Sequence, residues 1–153
     1  MLELPLLPGA LPRGVPIVGL DLGEKTIGVA VSDTSLMIAS PLALIRRAKF
    51  TLDAAALFKL MESRGAAGAV IGLPRNMDGS EGPRSQSVRA FARNLLRLRE
   101  MPIAFWDERL STEAVNRMLI DEADTTRARR AELVDKAAAA WILQGALDRM
   151  DHR

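Results

Sequence analysis

Three carboxylates stand where this chain could do hydrolytic chemistry: Asp21, Glu108 and Asp135. Asp21 lies near the end of an apolar run, 17–23, and is followed by Gly23. An acid in such a run costs several kcal/mol to bury unless it is paired or bound to a cation. As a site residue it is a metal ligand; as an ordinary residue it is a turn acid where the strand leaves the core. Glu108 ends another apolar run, two residues after Trp106, and Arg109 beside it is an equally natural ion-pair partner. Side chains alternate along a strand, so Asp107 faces away from Glu108 and only one of them can join a site with Asp21. Asp135 begins a helical stretch, where Asp is also among the best N-caps and suits the helix dipole.

Taken together, two strand-end acids and one helix-start acid could converge at one edge of a mixed sheet. Crowded carboxylates repel and raise one another's pKa unless a cation sits among them. All-oxygen ligands favour Mg²⁺ or Mn²⁺. Two such ions about 3.5–4 Å apart can clamp a phosphodiester, one activating water and the other stabilising the leaving oxygen. The rest of the composition leaves few other routes. There is no cysteine and no tyrosine, and the single histidine is His152, next to the C-terminus. Thiol nucleophiles, disulfides, Cys zinc sites and a Ser-His-Asp triad are therefore excluded or disfavoured.

Elements must position these groups, and the chain has the length for one domain: 153 residues, 48% hydrophobic and 26% charged. No segment reaches the roughly 18 apolar residues of a membrane span. Absence of cysteine fits a reducing cytoplasm, and no membrane partner is expected. Residues 1–15, apolar but rich in proline, are expected to form a loose, partly extended leader before one domain over 16–150. Strands are predicted at 17–23, 27–32, 38–47, 69–73 and 103–106. Gly23-Glu24-Lys25 suits a tight hairpin, and Pro41 confines the third strand to an edge or a bulge. Helices are predicted at 52–64, 84–99, 114–120 (capped by Ser111 or Thr112, with Glu113 in its first turn), 125–132 and 135–150. The order gives an α/β fold: a mixed five-stranded sheet, three antiparallel strands then parallel additions, with helices on both faces.

Basic residues number 21 against 19 acidic, for a net charge of +2. Most are arginines, whose planar fork suits phosphate. Arg89, Arg93 and Arg97 stand four apart and form a basic stripe on the helix that follows loop 74–83. That stripe tracks phosphates or is simply a solvated face. The loop itself is polar and contains Arg75, Asn76 and Ser80. It is longer than an ordinary strand-to-helix connection, which suggests closure over a substrate, or else a structural Ω-loop. Lys25 and Arg109 are either phosphate contacts beside the carboxylates or charge-balancing residues.

Four motifs now resemble those of the YqgF family, also called RuvX. They are Asp-Leu-Gly-Glu-Lys-Thr-Ile-Gly-Val-Ala-Val-Ser-Asp (21–33), Gly-Leu-Pro-Arg-Asn-Met-Asp-Gly-Ser-Glu-Gly (72–82), Asp-Glu-Arg-Leu-Ser-Thr (107–112) and Asp-Lys-Ala-Ala-Ala-Ala-Trp-Ile-Leu-Gln (135–144). They follow the family's order over about 17–148. The resemblance implies an RNase H-like fold and a nuclease, with Asp21, Glu108 and Asp135 as metal-binding and catalytic acids. It implies a role in maturing the 5′ end of pre-16S rRNA, with resolution of four-way DNA junctions as the alternative. Expected partners are structured RNA or branched DNA and a pre-ribosomal particle. The chain would act as a monomer or, for paired nicking of a junction, as a homodimer. A non-catalytic RNA-binding module keeping the fold is a second class of reading. An actin-like kinase is a third, but it would need a second domain for which 153 residues leave no room.

Overall fold

The computed structural model describes residues 3–110 and 127–150, with the side chains of 3–109 and 137–150. The expected cap at Ser111 or Thr112, Glu113, the helix at 114–120 and His152 lie outside the described residues. Five strands form one sheet: β1 (Val18–Leu22), β2 (Thr26–Ser32), β3 (Ala39–Arg46), β4 (Ala69–Leu73) and β5 (Ile103–Asp107). Their spatial order is β3-β2-β1-β4-β5. The first three form the antiparallel meander, while β4 and β5 add parallel to β1. Parallel pairing brings the carboxyl ends of β1, β4 and β5 to the same edge of the sheet.

The apolar patterns explain the layers. Helices α1 (Phe50–Arg64) and α2 (Pro83–Leu98) cover one face. There Leu20, Leu22, Ile71, Leu73 and Ile103 pack with Leu57, Met61, Val88, Phe91 and Leu95. Helix α3 (Arg127–Arg149) covers the other, where Ile17, Ala30, Val70, Ala104 and Trp106 meet Ala139, Ile142, Leu143 and Ala146. Small residues let this helix lie close. A Cβ on Gly19 would stand 2.6 Å from that of Leu143.

The strand β3 is at the sheet's edge, and the ladder with β2 shifts register at Val29/Ala30, where Ala43 is followed by Pro41 as partner. Pro41 thus produces both of its expected consequences, since it has no N–H to give a central ladder. The hairpin between β1 and β2 closes tightly, with Gly23 N–H donating to the Thr26 carbonyl at 2.9 Å.

Two expectations are corrected. Among the described residues the last helix already runs over Arg127–Arg149, so it does not begin at Asp135. No Gly or Pro separates the polar stretch from the alanine-rich one, so a single helix runs from Arg127 through both. Asp135 is therefore interior to α3, and the N-cap explanation for it falls. The leader is not loose throughout either. Leu4–Leu6 and Pro8–Ala10 form single 3-10 turns, and Leu7 and Leu11, four apart, are buried in the α3-side core.

Candidate active site

Asp21 and Glu108 meet at the carboxyl edge of the sheet. Asp21 is the fourth residue of β1, half-buried, and alternation puts it on the α3 side with Gly19. Glu108 follows β5 directly, in a single 3-10 turn, Glu108–Leu110. Between them in the sheet lies β4, whose Gly72 pairs with Trp106. A Cβ on Gly72 would stand 2.6 Å from Glu108 Oε1 and 2.6 Å from Ile142 Cδ1. The missing side chain of Gly72 is thus the space the Glu108 carboxylate occupies.

The two acids hydrogen-bond to each other. Burial pushes the Glu108 carboxyl up to about 7, the Asp21 charge adds to the rise, and Arg84 opposes it. Two carboxyls set against each other in this way concentrate negative charge in a confined place. Asp135 lies on α3 one turn before Ala139, whose backbone passes over Gly19 of β1. Its side chain is outside the described residues. Among the described residues no three acids form a metal cluster.

Neighbouring charges sort themselves differently from the sequence reading. Arg109 pairs with Asp107 rather than Glu108: its Nη2 is 2.6 Å from Asp107 Oδ2, and Nε reaches both oxygens. This guanidinium holds the Asp107 carboxyl below the usual carboxylate range. Arg109 Nη1 also donates to the Asn76 and Met77 carbonyls at 3.4 and 3.3 Å, so it ties loop 74–83 to the end of β5. The Ser85 hydroxyl donates to the Pro74 carbonyl and closes the loop's base.

Inside the loop, Asn76 Nδ2 donates to Ser80 Oγ at 3.0 Å, and Ser80 Oγ donates to Asp78 at 2.6 Å. Gly79, at φ +89°, supplies the left-handed turn that an ordinary residue resists. Asn76 and Ser80 therefore shape the loop. Arg89 does not extend a free stripe: it forks onto Glu81 at 2.6 and 2.8 Å and lies over the Phe105 ring. Arg93 and Arg97 on the same helix are exposed, as are Lys25 and Arg75, the latter 3.9 Å from Glu81. Sequence reasoning missed Arg84, whose charge reaches Glu108, and Arg47, whose Nη1 donates to the Gly23 carbonyl at 2.7 Å. Their only signal was a cation shortly after a strand or loop, with no spacing to link them.

A sheet of this order, with acids at the ends of its first and last parallel strands, defines an RNase H-like fold of the resolvase type. Consistent with this, the chain is similar in fold to Thermus thermophilus RuvC solved in complex with a Holliday junction substrate. The TM-score is 0.55 at 13% identity, covering 88% of this chain and 95% of that one. Residues 15–149 match the family described as "RuvX: Holliday junction resolvase". A Phenylobacterium zucineum (strain HLK1) protein named "Putative pre-16S rRNA nuclease" is 76% identical over 145 residues, 94% of this chain and 93% of that protein. A Rhodospirillum rubrum protein of the same name is 65% identical over 144 residues, 94% and 89% of the respective chains. This chain belongs to the RuvX family and, with it, to the nucleases, enzymes that hydrolyse phosphodiester bonds. No described helix is long and apolar enough to cross a membrane.

Proposed function

We propose that this chain is a divalent-metal-dependent nuclease that processes the 5′ end of pre-16S rRNA, with Asp21, Glu108 and Asp135 as its metal ligands. One observation carries the reading: two acids from separate strands are packed into hydrogen-bond contact over a glycine that makes room for them. That arrangement is unfavourable for the bare protein and favourable once a cation is shared. The donor set is oxygen only, so Mg²⁺ or Mn²⁺ fits. Bound there, the metal supplies an activated water and charge stabilisation on the leaving oxygen.

The chain's own residues then divide the work. Asp21 and Glu108 hold the cation from the sheet, and Asp135 adds a third carboxylate from α3. Loop 74–83, latched by Arg109, walls the site on the β5 side and presents Arg75 to the substrate backbone. RNA rather than DNA is supported by the names of the 76% and 65% identical relatives. A pre-ribosomal particle in the cytoplasm is the corresponding setting. The family description favours a second reading, four-way DNA junctions cut by a homodimer.

The test is cleavage of a labelled pre-16S 5′ leader RNA and of a four-way junction, in Mg²⁺ or Mn²⁺, by wild type and Asp21→Asn. Metal-dependent RNA cutting by wild type alone is expected. The near-isosteric variant should lose about a thousandfold or more in rate, roughly 4 kcal/mol in the barrier, while keeping its fold. Wild-type rate in the variant refutes Asp21 as an essential ligand. Paired symmetric nicks in the junction, with the RNA untouched, establish the second reading instead.

A further inference from the structure

We infer that a hollow beside the carboxylates, built by Arg47 and Arg84, binds a second backbone phosphate of the nucleic acid, next to the one being cut. The inference rests on the nuclease reading and adds a subsite to it. The hollow has a volume of about 90 Å³ and is lined by Leu22, Gly23, Glu24, Arg47, Arg84, Ser87 and Val88. A single water needs about 10–15 Å³, so a group the size of a phosphate can replace the several waters it would hold.

It sits just past the end of β1, two residues beyond Asp21, on the α2 side of the sheet edge. Gly23, two residues after Asp21, is part of its wall, so the hollow adjoins the end of β1 that carries Asp21. A strand crossing this edge would therefore meet the carboxylates and the two arginines in succession.

Chemistry distinguishes this hollow from the other basic positions. Arg89 and Arg109 are occupied by Glu81 and Asp107. Arg84 is exposed and lines the hollow. Arg47 is held in place by its bond to the Gly23 carbonyl and by the Phe91 ring, 5.8 Å from its centroid. A guanidinium carries five N–H donors, and this bond uses one of them. A fixed arginine, an exposed one and the Ser87 hydroxyl around a small recess are a match for a tetrahedral oxyanion. Glu24 at the rim opposes an anion, which gives the test a variant of the opposite sign.

The experiment measures binding without cleavage. Fluorescein-labelled single-stranded RNA and a four-way DNA junction are titrated in EDTA across a salt series. Wild type is compared with Arg84→Gln, Glu24→Gln and Arg64→Gln, the last an equal charge change at the far end of α1. Arg84→Gln is expected to weaken binding several-fold and to flatten the log K against log salt slope by about 0.7 for the single strand. Glu24→Gln should tighten binding, and Arg64→Gln should leave it near wild type. Circular dichroism melts confirm that the exposed substitutions leave the fold intact. If Arg84→Gln binds like Arg64→Gln, the subsite is overturned while the nuclease reading stands. If wild type binds neither nucleic acid, both are overturned. Greater sensitivity on the RNA than on the junction, or the reverse, supports the subsite and identifies its source.

Discussion

The two faces of the sheet are built to different rules. Towards α1 and α2 the strands present Leu20, Leu22, Ile71, Leu73 and Ile103, large side chains that fill space and nothing more. Towards α3 the rows set Gly19, Ala30, Gly72 and Ala104 among the larger Val70 and Trp106. Both faces bury apolar surface, so stability alone does not demand the difference. What the small residues add is proximity: α3 comes down onto the sheet, and Glu108 folds back over Gly72 towards Asp21. The first face holds the strands in register; the second spends its packing volume on placing charge.

Adding one methyl group to the α3 face and removing one from the other is the sharpest way to break this comparison. Gly72→Ala puts a carbon where Glu108 and Ile142 already stand, and overpacking of this kind costs about 1–3 kcal/mol. We expect cleavage to fall by a hundredfold or more, because Glu108 is displaced from Asp21. Ile71→Val, one residue away on the other face, should cost about 0.5–1.5 kcal/mol in a denaturant melt and leave turnover unchanged. Equal activity losses would show that the faces are not specialised.

A smaller effect follows from the raised Glu108 carboxyl. Its folded pKa, about 7, lies above the ordinary 4.5, so the metal-free fold binds this proton more tightly than the unfolded chain. Stability from this group is full below pH 4.5 and is lost as pH rises through 7. Melting temperature in EDTA should therefore decline by a few degrees across that window. Glu108→Gln should remove this part of the decline, and Mg²⁺ or Mn²⁺ should offset it in wild type alone. A metal-free pH profile identical in Glu108→Gln refutes the assignment.

The smallest effect is expected at Arg109. Lysine offers a point charge in place of a fork and cannot hold Asp107 and two loop carbonyls together. Arg109→Lys should lower turnover several-fold, with stability changed by about 0.5 kcal/mol, as for other exposed pairs. An unchanged rate would remove the latch from the account of the site.

Much of this architecture is legible in the residues. Short apolar runs bounded by Gly, Pro and Asp locate the strands to within two residues, because a buried strand has few other ways to be written. Pro41 foretells an edge and a bulge because its chemistry permits little else. The start of α3 is hidden, since polarity in 125–132 mimics a break that only Gly or Pro would enforce. Leu7 and Leu11 look like leader residues until the core is seen to need them. The acids at the sheet edge are foreseeable from alternation, but the partners of Arg89, Arg109, Asn76 and Ser80 are not. Those depend on a loop's path, and Arg47 and Arg84 come together only through tertiary structure.

The irregular ladder at β3 has a further consequence for how this chain behaves in a crowded solution. A sheet's last strand offers a row of unsatisfied donors and acceptors to any passing strand, the usual start of edge-to-edge aggregation. Here that row is interrupted: Pro41 contributes no donor, and the register shift twists the margin out of line with a flat partner. The β3 margin therefore resists extension by a neighbouring molecule, and a sheet that holds its acids at one end avoids becoming a template along its side.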